Sequence, residues 1–156
     1  MPGVASFDEI AEEFDRRVRR MVWAIVATID TAGRPRTRLL HLLWEGSTGW
    51  IATEPASLKA KHLARNHHVS LGYADPVEPV YVEATAQWVD DPAEKQRVWD
   101  FIKSQPEPYG YDPTIIPQWK DGPGSERFGL LKLTPWRIEV YGSPPATASR
   151  IWQARR

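Results

Sequence analysis

The most chemically suggestive stretch of the chain runs from Gly33 to Leu63 and combines alternating arginines with a lysine-rich helix start. Its candidate ligand-binding side chains are Arg34, Arg36, Arg38, Thr53, Ser57, Lys59 and Lys61. Alternate residues of a strand share a face, so Arg36 and Arg38 are expected to point in the same direction. Guanidinium, ammonium and hydroxyl groups, with the free N–H groups of a helix start, are donors that hold phosphate. The stretch therefore predicts an anion-binding cradle, and ordinary solvated surface charge is the alternative.

Positive charge is concentrated here although the whole chain of 156 residues has a formal net charge of zero. Between Arg34 and Arg65, six lysines and arginines face only two acids, Glu45 and Glu54, which gives a local net charge of +4. A neutral chain has no general attraction to nucleic acid or acidic membranes, so neither is expected as a partner. The sequence shows no apolar membrane span and no signal peptide, which predicts a cytoplasmic protein.

Several catalytic classes are excluded by residue type. The chain has no cysteine, which removes thiol nucleophiles and cysteine metal sites. It also lacks the glycine-rich phosphate loops, the serine nucleophile elbow and the zinc-binding helix motif. His62, His67 and His68 are close in sequence, but their predicted positions do not converge on one face, so no metal site is expected. Asp90 and Asp91 are interpreted as helix caps rather than as a catalytic carboxylate pair.

Hydrophobic periodicity divides the chain into short strands and three helices. The N-terminal helix, within residues 1–20, is predicted to begin at a capping box of Ser6 and Glu9. Strands are predicted over residues 21–29, 35–44, 50–53, 69–73, 80–89, 128–133 and 137–142, with a turn at Thr134 and Pro135. The other helices are predicted over residues 55–66, with Leu58 and His62 facing inward, and 92–104. Residues 105–125 form a predicted loop and residues 143–156 a predicted C-terminal tail.

These elements predict one domain, residues 1–156, that is mainly β with flanking helices. The chain is long enough for one hydrophobic core and too short to expect two domains. Six or seven strands that follow one another antiparallel are typical of a small β-barrel. The long loop is expected to be functional, and closing over a binding cleft is the role considered for it.

The residues of the predicted cradle also carry a family resemblance. The segments that carry it are Gly33-Arg34-Pro35, Arg38, Trp50-Ile51-Ala52-Thr53, Ser57 with Lys59-Ala60, Val69-Ser70-Leu71 and the later run from Pro135 to Tyr141. In this order and spacing they resemble the flavin-binding split-barrel family that includes pyridoxamine 5'-phosphate oxidase. The resemblance covers about residues 20–142.

The resemblance implies a homodimer of six-stranded antiparallel split β-barrels, with FMN in a cleft between the subunits. By position, Arg38 and Lys59 would hold the flavin phosphate, and Thr53 and Ser57 would add hydroxyl contacts. Residues around Leu39 would line the isoalloxazine ring, and Tyr141 would approach the cofactor from the partner chain. The implied activity is a flavin-dependent oxidoreductase that transfers hydride to or from a small planar organic substrate. No general acid is assigned, and Tyr141 and His41 are the side chains to test for that role.

Two positions differ from the oxidase pattern. Leu43 stands where the oxidase has a lysine, and Arg150-Ile151-Trp152 stands where it has an R-x-H signature. These differences argue against pyridoxamine phosphate as the substrate. Two alternatives remain open: a reductase of the same fold that uses the deazaflavin coenzyme F-420, and a flavin-binding module without turnover.

Overall fold

Nine strands and three α-helices form the main elements of the described part of the protein. The computed structural model describes residues 3–142 and 148–155. In chain order the elements are β1 (Gly3–Val4), α1 (Asp8–Met21), β2 (Trp23–Ile29), β3 (Pro35–His41), β4 (Leu43–Glu45), β5 (Thr48–Thr53), α2 (Leu58–Arg65), β6 (His68–Tyr73), β7 (Val80–Trp88), α3 (Pro92–Ser104), β8 (Gly129–Val140) and β9 (Arg150–Gln153). Two 3-10 turns, Pro113–Ile115 and Pro117–Trp119, lie between α3 and β8.

The strand pairings close into a barrel. β3 and β4 are separated only by Leu42 and act as one interrupted strand, β3 pairing with β2 and β4 with β5. From β5 the pairings continue to β8, β7 and β6, and β6 returns to β2. All of these pairings are antiparallel, so the predicted mainly-β barrel is confirmed.

The N-terminal and C-terminal segments add two strands that the sequence did not predict. β9 pairs antiparallel with the second half of β8, and β1 pairs parallel with β9. The predicted C-terminal tail, residues 143–156, thus contains a strand at Arg150–Gln153 that was not predicted, whereas residues 143–147 lie outside the described residues. The sheet is mixed because of the short parallel β1–β9 pair.

The predicted hairpin at Thr134 and Pro135 is also wrong, because β8 runs without a turn from Gly129 to Val140. The register between β7 and β8 shifts between Glu83 and Ala84, and Pro135 is the partner of Ala84 at this bulge. Proline has no N–H to give to a strand ladder, so it fits where the ladder is interrupted. One long strand thus pairs with both β5 and β9.

The helix ends follow the expected capping chemistry in part. Asp91 caps α3 by accepting a hydrogen bond from the Ala93 N–H at 3.0 Å, as predicted. At α1, the Glu9 carboxylate accepts from the Ser6 N–H at 3.1 Å, which is one half of the predicted capping box. The other half is absent, because Phe7 is the N-cap residue and α1 has no side-chain cap.

Two apolar clusters support the barrel. The first fills the barrel beneath α1, where the Phe14 ring lies edge-on to Trp44 at 5.0 Å. The Trp44 indole N–H donates to the buried Tyr73 hydroxyl at 2.7 Å. The second cluster lies under α3 and includes Trp99 and Phe128 in edge contact at 5.0 Å.

The long loop belongs to this second cluster rather than standing free of the barrel. Tyr109 and Trp119 are buried in it, and the Tyr109 hydroxyl accepts a hydrogen bond from the Trp44 backbone N–H. The Arg19 guanidinium also lies over the Tyr109 ring at 4.6 Å. These contacts hold residues 105–125 against α1 and β4 in the conformation described.

Candidate functional site

The predicted common face of Arg36 and Arg38 is confirmed by the strand register. Arg38 lies opposite Val26 and Arg36 opposite Thr28, and both of these β2 residues are buried. The two arginines therefore project from the same side of β3, toward the end of the barrel that α2 covers. Arg38 is partly buried, whereas Arg36 is exposed and lies 3.8 Å from the Asp30 carboxylate.

Lys59 lies at the start of α2, near enough to Arg38 for the two positive charges to interact. Its ammonium donates a hydrogen bond to the Ser57 hydroxyl at 3.1 Å. Burial lowers the pKa of Lys59 from its ordinary value of 10.5, and the charge of Arg38 lowers it further, against the opposing effect of Glu54. The pKa of Arg38 is lowered first by burial and then by Arg36. Two partly buried cations are thus held close enough to destabilise one another.

These two cations have no ion-pair partner among the described residues. In residues 3–142 and 148–155, neither Arg38 nor Lys59 forms a salt bridge. Glu54, the acid whose charge opposes the lowering of the Lys59 pKa, forms a salt bridge with Arg127 at 3.1 Å. Partly buried charges are usually paired, so an unpaired cluster of one sign is a candidate anion site. We call Arg38, Thr53, Ser57 and Lys59 the cationic cradle.

Thr53 and Leu39 have different positions relative to the cradle. Thr53 ends β5 immediately before the segment that leads to Ser57 and Lys59, and it is buried. Leu39 is 61% exposed on the opposite face of β3 from Arg38, where it lies opposite Ile25. In the described part of the chain β3 pairs only with β2, so the backbone edge of β3 that faces away from β2 has no partner strand. The cradle residue Arg38 and Leu39 therefore lie on opposite faces of β3, beside this open edge.

Tyr141 is not part of the cradle within one chain. It follows the end of β8, whereas the β8 residue that pairs with the cradle residue Thr53 is Gly129, at the start of this long strand. Its N–H donates to the Pro79 carbonyl at 3.2 Å, and its carbonyl accepts from the buried Arg17 guanidinium at 2.6 Å. The side chain is 37% exposed, so it is available at the surface for contact with another molecule.

His41 lies at the end of β3, two residues beyond Leu39. Its Nε2 donates to the Tyr109 carbonyl at 2.8 Å, because a carbonyl can only accept. The imidazole lies between the rings of Trp23 and Tyr111, at centroid distances of 5.0 and 4.8 Å. Burial lowers the pKa of His41 below 6.5, against the opposing effect of the Tyr109 hydrogen bond. The neutral ring therefore presents Nδ1 as a proton acceptor at neutral pH.

Thr28 and His62 support the cradle from behind and were not predicted as site residues. The Thr28 hydroxyl oxygen lies 2.9 Å from Arg38 Nη1 and 2.8 Å from His62 Nδ1. Both side chains are almost completely buried. Two features of the sequence could have indicated them: Thr28 occupies an inward position of its strand, and His62 lies on the inward face of α2. Leu58, which was also expected to face inward, is 59% exposed.

The positions that differ from the oxidase pattern have structural contacts. Leu43 is buried in the cluster under α3 and presents no charge to a ligand. Arg150 donates to the Glu9 carbonyl at 2.8 Å, and Trp152 contacts the Phe7 ring edge-on at 5.8 Å. These β9 side chains therefore hold the start of α1 against the sheet through one hydrogen bond and one ring contact.

The outer face of the sheet carries an exposed apolar row next to the cradle strand. Leu39, Ile25, Gly72 and Tyr81 lie opposite one another across β3, β2, β6 and β7. The three side chains in this row are between 43% and 61% exposed. An open groove of about 530 Å³ with a mainly apolar lining lies beside Ile25 and Tyr81. We call Ile25, Leu39, Gly72 and Tyr81 the outer apolar row.

Other classes of site are not supported by the described residues. Residues 3–142 and 148–155 contain no group of three or more side chains that could hold a metal ion. None of the helices in those residues has the length and apolar character needed to cross a membrane.

Comparison with solved structures shows the same fold in proteins of several functions. A Clostridium acetobutylicum protein related to general stress protein 26 of B. subtilis is 16% identical, with a TM-score of 0.71 over 94% of this chain and 95% of that chain. An F-420 reductase is 16% identical, with a TM-score of 0.58 over 80% and 94% of the two chains. A heme storage protein, HutZ from Vibrio cholerae, is 20% identical, with a TM-score of 0.61 over 83% and 94%. At these identities the likeness shows the fold alone.

The family is shown by the sequence itself. No curated protein matches the chain. The family model described as pyridoxamine 5'-phosphate oxidase matches residues 10–142, which include every strand from β2 to β8 and all of the cationic cradle. The chain therefore belongs to the pyridoxamine 5'-phosphate oxidase family.

Proposed function

We propose that this protein is a flavin-dependent oxidoreductase that binds FMN with the phosphate in the cationic cradle. The observation that carries the proposal is the partly buried pair of Arg38 and Lys59, which has no carboxylate partner in the described residues. A phosphate dianion would neutralise both charges and so remove their mutual repulsion. The membership of the family supports this choice of anion.

The remaining cradle residues would complete the phosphate contacts. Arg38 uses one guanidinium N–H for Thr28, which leaves the other N–H groups for a bidentate contact with phosphate. Lys59 would turn from the Ser57 hydroxyl to the phosphate, and the Thr53 and Ser57 hydroxyls would donate to its oxygens. Bound FMN would supply the hydride-transfer chemistry.

The flat part of the ligand would lie along the open edge of β3. Leu39 would contact the isoalloxazine and exclude water from one side of it. His41, on the same face of β3 and two residues away, would accept or donate a proton through Nδ1, because its Nε2 is already bound to the Tyr109 carbonyl. The substrate class proposed is a small planar organic molecule that stacks on the ring.

The protein is further proposed to be a homodimer that pairs through the outer apolar row. Burial of Ile25, Leu39 and Tyr81 would remove exposed apolar surface, and Tyr141 would reach the partner's FMN. Analytical ultracentrifugation of Ile25→Asp should show a monomer, while Ile115→Asp, at a 77% exposed residue of the long loop, should sediment like the original protein. A monomeric original protein would contradict this proposal.

The deazaflavin coenzyme F-420 is the second candidate cofactor. Lys61 and Arg65 are exposed on α2 beyond the cradle and form no salt bridge with any described residue. They extend the positive surface, which would suit a cofactor whose acidic tail continues past the phosphate. If F-420 binds and FMN does not, the cofactor assignment changes while the cradle assignment stands.

An absorbance titration of the purified protein with FMN, and separately with F-420, tests the proposal. We expect a shifted flavin band and micromolar or tighter binding of one of the two. The double variant Arg38→Ala with Lys59→Ala should lose this binding and keep its circular dichroism spectrum. Unchanged binding in the double variant would refute the cradle. Binding without reduction by NADH or NADPH would favour a flavin-binding module without turnover.

A further inference from the structure

Thr28 and His62 form a buried polar relay behind the cradle. The relay joins three elements, because His62 belongs to α2, Thr28 to β2 and Arg38 to β3. Thr28 is 1% and His62 3% exposed, so neither is solvated. A buried polar pair of this kind is kept only if its hydrogen bonds are made.

The direction of the hydrogen bond between Arg38 and Thr28 follows from what each group can do, and this bond leaves the Thr28 hydroxyl hydrogen free for His62. A guanidinium only donates, so Arg38 Nη1 must donate to the Thr28 oxygen at 2.9 Å. The Thr28 hydroxyl hydrogen is then available to His62 Nδ1 at 2.8 Å, the other partner of this oxygen in the described residues. In this arrangement His62 accepts at Nδ1 and carries a proton on Nε2.

We propose that Thr28 and His62 are positioning residues that orient the Arg38 guanidinium for the cofactor phosphate. The inference rests on the proposed function. Arg38 carries a long flexible side chain next to another cation, Lys59, which repels it. The hydrogen bond to Thr28 restrains the guanidinium against this repulsion, and His62 fixes the direction in which the Thr28 oxygen accepts. The free edge of the guanidinium is thereby held toward the cradle before a ligand arrives.

The test compares the affinities for FMN and for riboflavin, which lacks the phosphate, by calorimetry. Thr28→Val has nearly the same shape but no hydroxyl, and we expect it to weaken FMN binding about tenfold, the effect of one charge-assisted hydrogen bond. Riboflavin binding should not change. Thr28→Ser restores the hydroxyl and should restore FMN affinity. Thr134→Val makes the same substitution at an exposed position on β8 and should leave both affinities unchanged.

Arg38→Met separates this inference from the proposed function. If Arg38→Met weakens FMN binding and Thr28→Val does not, the positioning role is refuted and the cradle stands. If Arg38→Met itself has no effect, or if the original protein binds neither FMN nor F-420, the cradle and the positioning role are both wrong. If the original protein binds F-420 alone, the same variants are compared by their F-420 affinity, with the same outcomes for and against the positioning role. Equal losses of FMN and riboflavin affinity in Thr28→Val, or no recovery in Thr28→Ser, would show a general disturbance and also refute the positioning role.

The tautomer of His62 provides an independent readout. Long-range proton–nitrogen NMR spectra should show the proton on Nε2 in the original protein, as the relay requires. A proton on Nδ1 would reverse the hydrogen-bond direction and overturn the assigned relay. In Thr28→Val the His62 Nδ1 resonance should shift, since its donor is removed.

Discussion

Lys59→Met should stabilise the free protein and weaken its cofactor binding at the same time. Methionine keeps the length and helix propensity of lysine and removes the charge. Lys59 is half-buried, and burial and Arg38 both disfavour its charged form. Discounted for solvent screening, the gain in the free energy of unfolding should be about 0.5–1 kcal/mol. For a chain of 156 residues this raises Tm by about 1–4 °C.

Cofactor binding should change in the opposite direction. Loss of one charged hydrogen-bond donor to phosphate costs about 1.5–3 kcal/mol, which weakens FMN binding roughly 10- to 100-fold. Calorimetric melting without ligand and a fluorescence titration with FMN measure the two effects on the same samples. Lys61→Met is the matched control, because Lys61 is exposed and lies two residues further along α2. It should change neither Tm nor FMN affinity appreciably.

The stability gain also has a defined pH dependence. The folded-state pKa of Lys59 lies below its unfolded value of 10.5, so the native state holds the proton less tightly. The charged Lys59 lowers the free energy of unfolding by its full amount below the folded-state pKa, and this loss disappears as the pH rises to 10.5. The Tm difference between Lys59→Met and the original protein should therefore shrink in that range. A lower Tm for Lys59→Met at neutral pH, or an FMN affinity equal to that of Lys61→Met, would refute the reasoning.

Three further predictions concern the surroundings of the site. Tyr73→Phe leaves the buried Trp44 indole N–H without its acceptor and should cost about 1–3 kcal/mol in urea denaturation; a loss below about 0.5 kcal/mol would contradict this. The NMR titration midpoint of His41 should lie below 6.5, since burial disfavours the imidazolium; a midpoint above 6.5 would contradict the observed burial. Gly49→Ala places a Cβ 2.9 Å from the Trp44 ring and should destabilise the protein by about 1–3 kcal/mol, measured as a lower Tm, whereas an unchanged Tm would show that the ring yields freely.

The sequence was most informative where local chemistry decides the structure. The bounds of α3 follow from Asp91 as the cap and Pro92 in the first turn, and the structure has the predicted residues 92–104. The common face of Arg36 and Arg38 follows from strand periodicity alone. These features depend only on near neighbours in the chain.

Features set by distant contacts were not predictable in the same way. Pro135 is a turn signal locally, but here it sits at a bulge that depends on the register with Ala84. β9 is too short to show a pattern, and it forms only because β8 offers an edge. The relay behind Arg38 joins residues separated by 10 and 34 positions, so no sequence spacing indicates it. The cradle was predicted by residue type, whereas its support required the tertiary structure.

The attachment of β9 and α1 to the barrel bears on where this protein can be shortened. The family match covers residues 10–142, so β1, the first residues of α1 and β9 lie outside it. A version cut to the matched segment would lack both Phe7 and Trp152, whose rings contact each other, and would leave the second half of β8 as a bare edge. Unpaired edges invite aggregation. Truncation to the homologous region should therefore be avoided when the protein is produced for binding studies.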